Sequence, residues 1–187
     1  MSEPLFHSPD FTRFYDADNP WDTDKDYCRA LAESAGSVLD LGCGTGELAT
    51  ALAGGRRVVG VEPAAAMLDH ARRRAGSEKV KWVEADARSL RLGETFDLVV
   101  MTGHAFQCLL TRDDQLAVCR TIAAHLEPGG TFVFDSRNPA VEEWRGWTPD
   151  TTRRTVSLPG LGEFEAWNDA RCDPETAIVT YETVYLD

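Results

Sequence analysis

Between residues 37 and 135 the apolar positions gather into five short runs: 37–41 (SVLDL), 57–61 (RVVGV), 79–84 (KVKWVE), 96–101 (FDLVVM) and 131–135 (TFVFD). Runs of this length, rich in Val, Phe and Trp, predict strands. FDLVVM is almost continuously apolar, as expected of a strand covered on both faces. The stretches between them carry helical spacing. Residues 22–35 (DTDKDYCRALAESA) open on acidic residues suited to a helix N-terminus and stop at Gly36. Residues 46–54 close on Gly54-Gly55, 63–75 place Pro63 at the first helical position, and 112–126 end before Pro128-Gly129-Gly130. Strands alternating with helices predict an α/β fold with a doubly wound parallel sheet. Spacing alone does not order the strands.

The two ends differ from this middle. Residues 1–21, with Pro4, Pro9 and Pro20, read as an irregular arm. After Pro139 the pattern turns to period two in 151–158, 162–172 and 176–186, separated by the turn signals Pro159-Gly160 and Asp173-Pro174. This predicts a C-terminal antiparallel β meander of three strands. The expected organisation is an arm with a nucleotide-binding layer over 1–139 and a β appendage over 140–187, without a linker long enough to separate independent domains.

Composition narrows the partners. The chain has 187 residues, 43% hydrophobic and 27% charged, which suits one soluble globular core. The net charge of −12 repels phosphate backbones, so no nucleic acid is expected as substrate or partner. Five cysteines form no C-x-x-C pair, and four dispersed histidines offer no metal spacing. Neither a signal peptide nor an apolar run near the ~18 residues of a membrane span is visible. A reducing, cytoplasmic setting without a membrane partner is expected. Arginine far outnumbers lysine and alanine is abundant, which fits a GC-rich bacterial genome.

The chemistry concentrates at 38–47, VLDLGCGTGE. A strand passes through Gly42-x-Gly44-x-Gly46 into a helix, the form of a nucleotide-binding turn, where glycines let the backbone approach a ligand. A dinucleotide fingerprint needs a third glycine where Glu47 stands. Glu47 and Asp40 put two carboxylates around the turn. They suit a ligand bearing an amino group and a sulfonium better than a pyrophosphate. Glu62 ends the second strand, 18 residues after Gly44, where a carboxylate accepts from both ribose hydroxyls in nucleotide-binding α/β folds.

These motifs closely resemble class I S-adenosylmethionine-dependent methyltransferases, whose first motif has the form D-L-G-C-G-T-G. The resemblance covers 11–139 and is strongest at 38–47, 58–68 and 126–135 (LEPGGTFVFD). It implies a Rossmann-like sheet of order 3-2-1-4-5 and S-adenosyl-L-methionine as cofactor, held at Asp40, Gly42, Cys43, Gly44, Thr45 and Gly46. Pro63 and Met67 would flank ribose and adenine. Asp86 would accept from the adenine amino group, with the N–H of Ala87 on the ring. Thr102 and Gly103, ending the fourth strand, would hold the methionine end.

His104 is the one titratable group there able to take a proton near neutral pH, and is the candidate base; otherwise it packs. In the segment FYDADNPW, Tyr15 and Trp21 are candidates to lie over the sulfonium, or else pin the arm to the core. Trp144 and Trp147 would wall an acceptor pocket or pack at the junction. The implied enzyme transfers a methyl group in line to a small molecule. No N-P-P-Y-type motif of nucleic-acid amino-methyltransferases is present. The alternatives are a non-catalytic cofactor-binding protein or incomplete subunit, and a nicotinamide-dependent oxidoreductase. Against the oxidoreductase stand Glu47 and the lack of a Tyr-x-x-x-Lys pair. The family usually adds a final helix and strand pair, whereas this sequence ends at Asp187. Either those elements are missing or 150–187 replaces them; their lack would leave an apolar edge to cover, so self-association as a homodimer through 151–186 is expected, with the meander walling the acceptor pocket.

Overall fold

The five apolar runs form one parallel sheet in the computed structural model, which describes residues 4–187. Its strands are β1 (Ser37–Leu41), β2 (Arg57–Glu62), β3 (Val80–Glu84), β4 (Phe96–Met101) and β5 (Leu126–Phe134), in the order β3-β2-β1-β4-β5. All four pairings are parallel. The helices are α1 (Pro9–Asp18), α2 (Thr23–Ala32), α3 (Glu47–Leu52), α4 (Ala65–Arg73), α5 (Arg112–His125) and α6 (Pro149–Thr152).

Alternate strand residues serve opposite cores. Val38, Val58 and Leu98 pack with Cys28 and Ala32 of α2 and Leu48 and Leu52 of α3. Leu39, Val59 and Val99 pack with Val118 and Ile122 of α5. Both faces of the three central strands β1, β2 and β4 are therefore dry, while the edge strands β3 and β5 are partly exposed.

Several boundaries differ from the sequence reading, the first meander strand among them: it begins at Arg154, because Pro149–Thr152 forms the short helix α6 capped by Thr148. Residues 9–18 are helical rather than irregular. Pro9 stands at the first helical position, where its missing N–H costs nothing, and the Ser8 carbonyl receives both the Thr12 amide (3.1 Å) and the Thr12 hydroxyl (3.0 Å). Pro63 lies ahead of α4, whose N-cap is Ala64. Pro128-Gly129-Gly130 is a bulge inside β5 rather than a break: Leu126 pairs with Phe96, and pairing resumes at Thr131 with Leu98. β5 pairs only with β4, so a proline there interrupts no second ladder.

The chain divides into two compact units. One holds residues up to Thr12 together with Trp21–Ser136; the other holds Arg13–Pro20 and Arg137–Asp187. The second unit is an antiparallel sheet of β6 (Arg154–Leu158), β7 (Gly162–Cys172) and β8 (Val179–Leu186). Val156, Leu158 and Ala166 form its core with Phe14 of α1. The Phe14 ring stacks on Tyr185 at 4.1 Å and meets Phe164 edge-on at 5.0 Å.

Asp18 of α1 accepts from Arg154 Nε at 2.6 Å and from the Tyr185 hydroxyl at 2.7 Å. Arg154 also donates to the Thr152 carbonyl. Removing Arg154 leaves the largely buried Asp18 carboxylate without its counter-charge and with the Tyr185 hydroxyl as its remaining donor of the two, so Arg154→Ala should cost about 2–3 kcal/mol of unfolding free energy in this unit. Urea unfolding followed by tryptophan fluorescence tests this; an unchanged midpoint would show that the pair contributes nothing.

Candidate cofactor and active site

The glycine turn is built from left-handed backbone. Gly42, Gly44 and Gly46 have φ of 74°, 54° and 75°, a region other residues occupy at a cost. The Val61 carbonyl accepts from the Gly42 and Cys43 amides at 2.8 and 3.0 Å, which ties the turn to β2. Gly46 is also required by packing. A Cβ there would stand 2.5 Å from Trp82 Cη2 and 2.8 Å from Ala71 Cβ. Arg74 holds the turn from behind, donating to the Thr45 carbonyl at 3.1 Å and its hydroxyl at 3.3 Å.

Asp40 and Glu62 stand at the centre of this turn. Asp40 is 1% exposed, and neither of its oxygens makes a hydrogen bond of ordinary geometry among the described residues. Burial, then the Glu62 charge, push its carboxyl up to about 7, with only the Ala49 amide pulling the other way. Glu62, 7% exposed, accepts from the Gly44 amide at 3.1 Å and the Ala64 amide at 3.0 Å. Burial raises its carboxyl, opposed by those two amides and by His7. The same burial, with Asp40 and Glu62 nearby, drives the Cys43 thiol well above its usual range and leaves it un-ionised.

The second edge of the site is the end of β4. Thr102 accepts from the Ala105 amide at 3.3 Å, and Gly103 and His104 follow with φ of 65° and 61°. His104 donates its backbone N–H to Asp135 Oδ1 at 2.8 Å, and its Nδ1 lies 3.4 Å from Asp135 Oδ2. Asp135 follows β5, the neighbour of β4, so the carboxyl ends of both strands meet here. A Cβ on Gly42 would lie 3.0 Å from Ala105 Cβ, which places the glycine turn beside this segment.

Other predicted positions carry partners of their own. Asp86 receives the Arg88 amide at 2.8 Å and the Arg88 guanidinium on both oxygens, and Arg88 reaches on to Asp114 at 2.8 Å. The Arg88 hydrogen bonds hold the Asp86 carboxyl below its usual range. Ala87 packs beside the α5-side core, and Met67 is buried at 1% exposure in α4. Glu47 is paired with Lys25 at 2.5 Å. Trp21 packs against the α2–α3 core; Lys25 and Arg29 approach its ring at 5.8 and 5.6 Å. Tyr15 lies in the part of α1 that belongs to the second unit. There too, Trp147 packs edge-on to Tyr181 at 5.6 Å under the Arg137 guanidinium at 4.8 Å, and Trp144 carries Arg145 at 4.6 Å.

Asp135, Arg74 and Lys25 did not stand out in the sequence. Asp135 had a usable signal: it is the last residue of the TFVFD run, hence at the carboxyl end of a parallel strand, where ligands bind in such sheets. Arg74 and Lys25 act across the fold and left no local mark. Among the described residues no group of His, Cys, Asp and Glu could hold a metal ion, and no helix is long and apolar enough to cross a membrane.

A family described as a methyltransferase domain matches residues 38–130. The chain is similar to a cypemycin N-terminal methyltransferase of a Streptomyces species, 41% identical over 105 residues, covering 56% of this chain and 43% of the relative. It is similar in structure to the CcbJ methyltransferase of Streptomyces caelestis: 26% identity, TM-score 0.67, all of this chain and 82% of that one. It is similar also to S-adenosylmethionine-bound CalS10, an amino pentose methyltransferase of Micromonospora echinaspora: 26% identity, TM-score 0.59, 93% of this chain and 76% of that one. The chain spans about half the length of the curated relatives it matches.

Proposed function

The chain belongs to the class I S-adenosylmethionine-dependent methyltransferases, and from that premise we propose that it methylates a small molecule at an amine nitrogen. The observation that carries cofactor binding is the buried carboxylate of Asp40 beside the glycine turn, without a hydrogen bond of ordinary geometry among the described residues. An amino group of a bound ligand would satisfy it. Glu62 keeps acceptor capacity beyond its two amide bonds and suits ribose hydroxyls. The turn and these two carboxylates thus fit S-adenosylmethionine, which when bound supplies a methyl group on a sulfonium. Glu47, neutralised by Lys25, serves the turn rather than the ligand.

The amine reading draws on two relatives, one named an N-terminal methyltransferase and one an amino pentose methyltransferase. A net charge of −12 also favours cationic acceptors. Such an acceptor arrives as an ammonium ion and must shed a proton before its lone pair can react. In this reading His104, on the loop after β4, takes that proton. The site's main contribution is positioning, worth several kcal/mol. The test is a transfer assay with labelled cofactor and a panel of peptides with free N-termini, amino sugars and matched hydroxyl compounds. Label in amines supports the reading; label confined to hydroxyl compounds overturns it.

The Asp40 environment gives a pH dependence. An ammonium beside Asp40 favours its ionised form, so binding expels the proton that burial retains below about 7. Cofactor affinity should therefore fall as pH drops through 7, by up to about tenfold per unit. The unliganded fold has the opposite trend: because the folded carboxyl holds its proton up to about 7, stability declines as pH rises from the ordinary carboxylate range towards that value. Asp40→Asn should flatten the binding profile. Calorimetry between pH 5.5 and 8 checks this; a flat wild-type profile would remove Asp40 from contact with the ligand's charge.

Self-association through 151–186 is part of the same proposal. Leu161, Tyr181 and Leu186 of the second unit are 55%, 39% and 48% exposed, an apolar surface a second copy would cover. Sedimentation at tens of micromolar tests it: a dimer is expected, and a monomer would refute it.

A further inference from the structure

His104 is held in a conformation it would not choose. Its φ of 61° and ψ of 20° place a residue with a side chain in the left-handed region. Such a conformation persists only where surrounding groups impose it. Here one side chain bears on both the backbone and the ring. Asp135 Oδ1 accepts the His104 N–H at 2.8 Å, while Oδ2 stands 3.4 Å from Nδ1 of the imidazole, a charge contact longer than an ordinary hydrogen bond. Met101 and Phe134 are register partners at the ends of two parallel strands; Asp135 directly follows one strand and His104 comes three residues after the other.

From this geometry we infer that Asp135 is the positioning residue of the reaction. Its carboxylate fixes the His104 loop, orients the ring, and selects the tautomer with the proton on Nδ1. A neutral imidazole carries one ring proton, and the nitrogen facing a carboxylate is the one that keeps it. Nε2, on the far side of the ring, then presents its lone pair. The acceptor's ammonium gives one proton to Nε2, the electron pair of the broken N–H bond stays on the amine nitrogen, and the imidazolium formed is stabilised by Asp135 until it releases the proton to solvent. Asp135 itself neither gains nor loses a proton. His104 and Asp135 are both partly exposed, 34% and 27% at the side chain, so a substrate proton and solvent can reach the pair. This inference rests on the reading above that His104 takes the acceptor's proton.

Two variants and two readouts test it. Asp135→Asn retains an oxygen for the His104 amide but removes the charge facing Nδ1; Asp135→Glu restores the charge on a longer arm. With the most active amine of the panel, Asp135→Asn should lower kcat at least about tenfold with KM within about twofold, and Asp135→Glu should recover part of the loss. Independently of turnover, nitrogen-15 NMR of the protein with S-adenosylhomocysteine, assigned by comparison with His104→Ala, should show Nδ1 protonated in the wild type. In Asp135→Asn that preference should be lost. An unchanged tautomer in Asp135→Asn overturns the inference whatever happens to turnover. A rise in KM at constant kcat also overturns it, since Asp135 would then hold the acceptor directly. If His104→Ala turns over normally while the tautomer still follows Asp135, the base reading fails and the orientation of His104 by Asp135 stands.

Discussion

His104→Ala is expected to lower turnover of an amine acceptor by about 10²-fold or more while cofactor affinity stays within about twofold. The reason is the separation of tasks in the site. Cofactor recognition is assigned to the turn at Gly42–Gly46 and to the two buried carboxylates. His104 lies on the next loop, tied to Asp135 by its backbone at 2.8 Å. Removing the imidazole leaves that amide bond in place. The loss should shrink as pH rises and more of the acceptor arrives as free amine, because the proton His104 would remove is then already gone. Parallel measurement of kcat and of cofactor Kd separates the cases. Equal losses in both would mean that His104 supports the cofactor rather than the proton transfer, and unchanged turnover would leave it a packing role.

Glu62→Ala is expected to weaken S-adenosylmethionine binding by about 1.5–3 kcal/mol, roughly 10- to 150-fold in Kd, the range for hydrogen bonds to a charged acceptor. Two contributions combine. The direct one is the loss of an acceptor for the ribose hydroxyls. The indirect one is the release of the Gly44 and Ala64 amides, which Glu62 holds at 3.1 and 3.0 Å. Glu62→Gln separates them, since an amide oxygen can still receive one of those N–H groups while the charge is gone. Glu62→Ala folded, by circular dichroism, yet binding like the wild type would remove Glu62 from the cofactor site.

Much of this arrangement was legible in the sequence because a parallel sheet buries both faces. The runs RVVGV and FDLVVM become β2 and β4 within a residue of their expected bounds. The glycine turn was legible because three residues without Cβ must sit where φ is positive. What was missed has common physical causes. α1 was hidden because Pro9 was counted as a breaker, though at the first helical position a proline breaks nothing. β5 was shortened because Pro128-Gly129-Gly130 resembles a stop, whereas an edge strand tolerates the bulge. Gly46 was read only for its ligand, and the Trp82 ring that forbids a side chain there comes from a strand 36 residues later. The pairings Asp86–Arg88, Glu47–Lys25 and His104–Asp135 depend on rotamers and strand order, which no linear spacing encodes.

The central claim is that the turn at Gly42–Gly46, with Asp40 and Glu62, binds S-adenosylmethionine. Its most direct test is isothermal titration of the purified chain with S-adenosylmethionine, S-adenosylhomocysteine and NAD under the same conditions. Binding of the first two at one site per chain, lost in Glu62→Ala, with no heat from NAD, is the predicted result. Saturable binding of NAD with none of S-adenosylmethionine would contradict it.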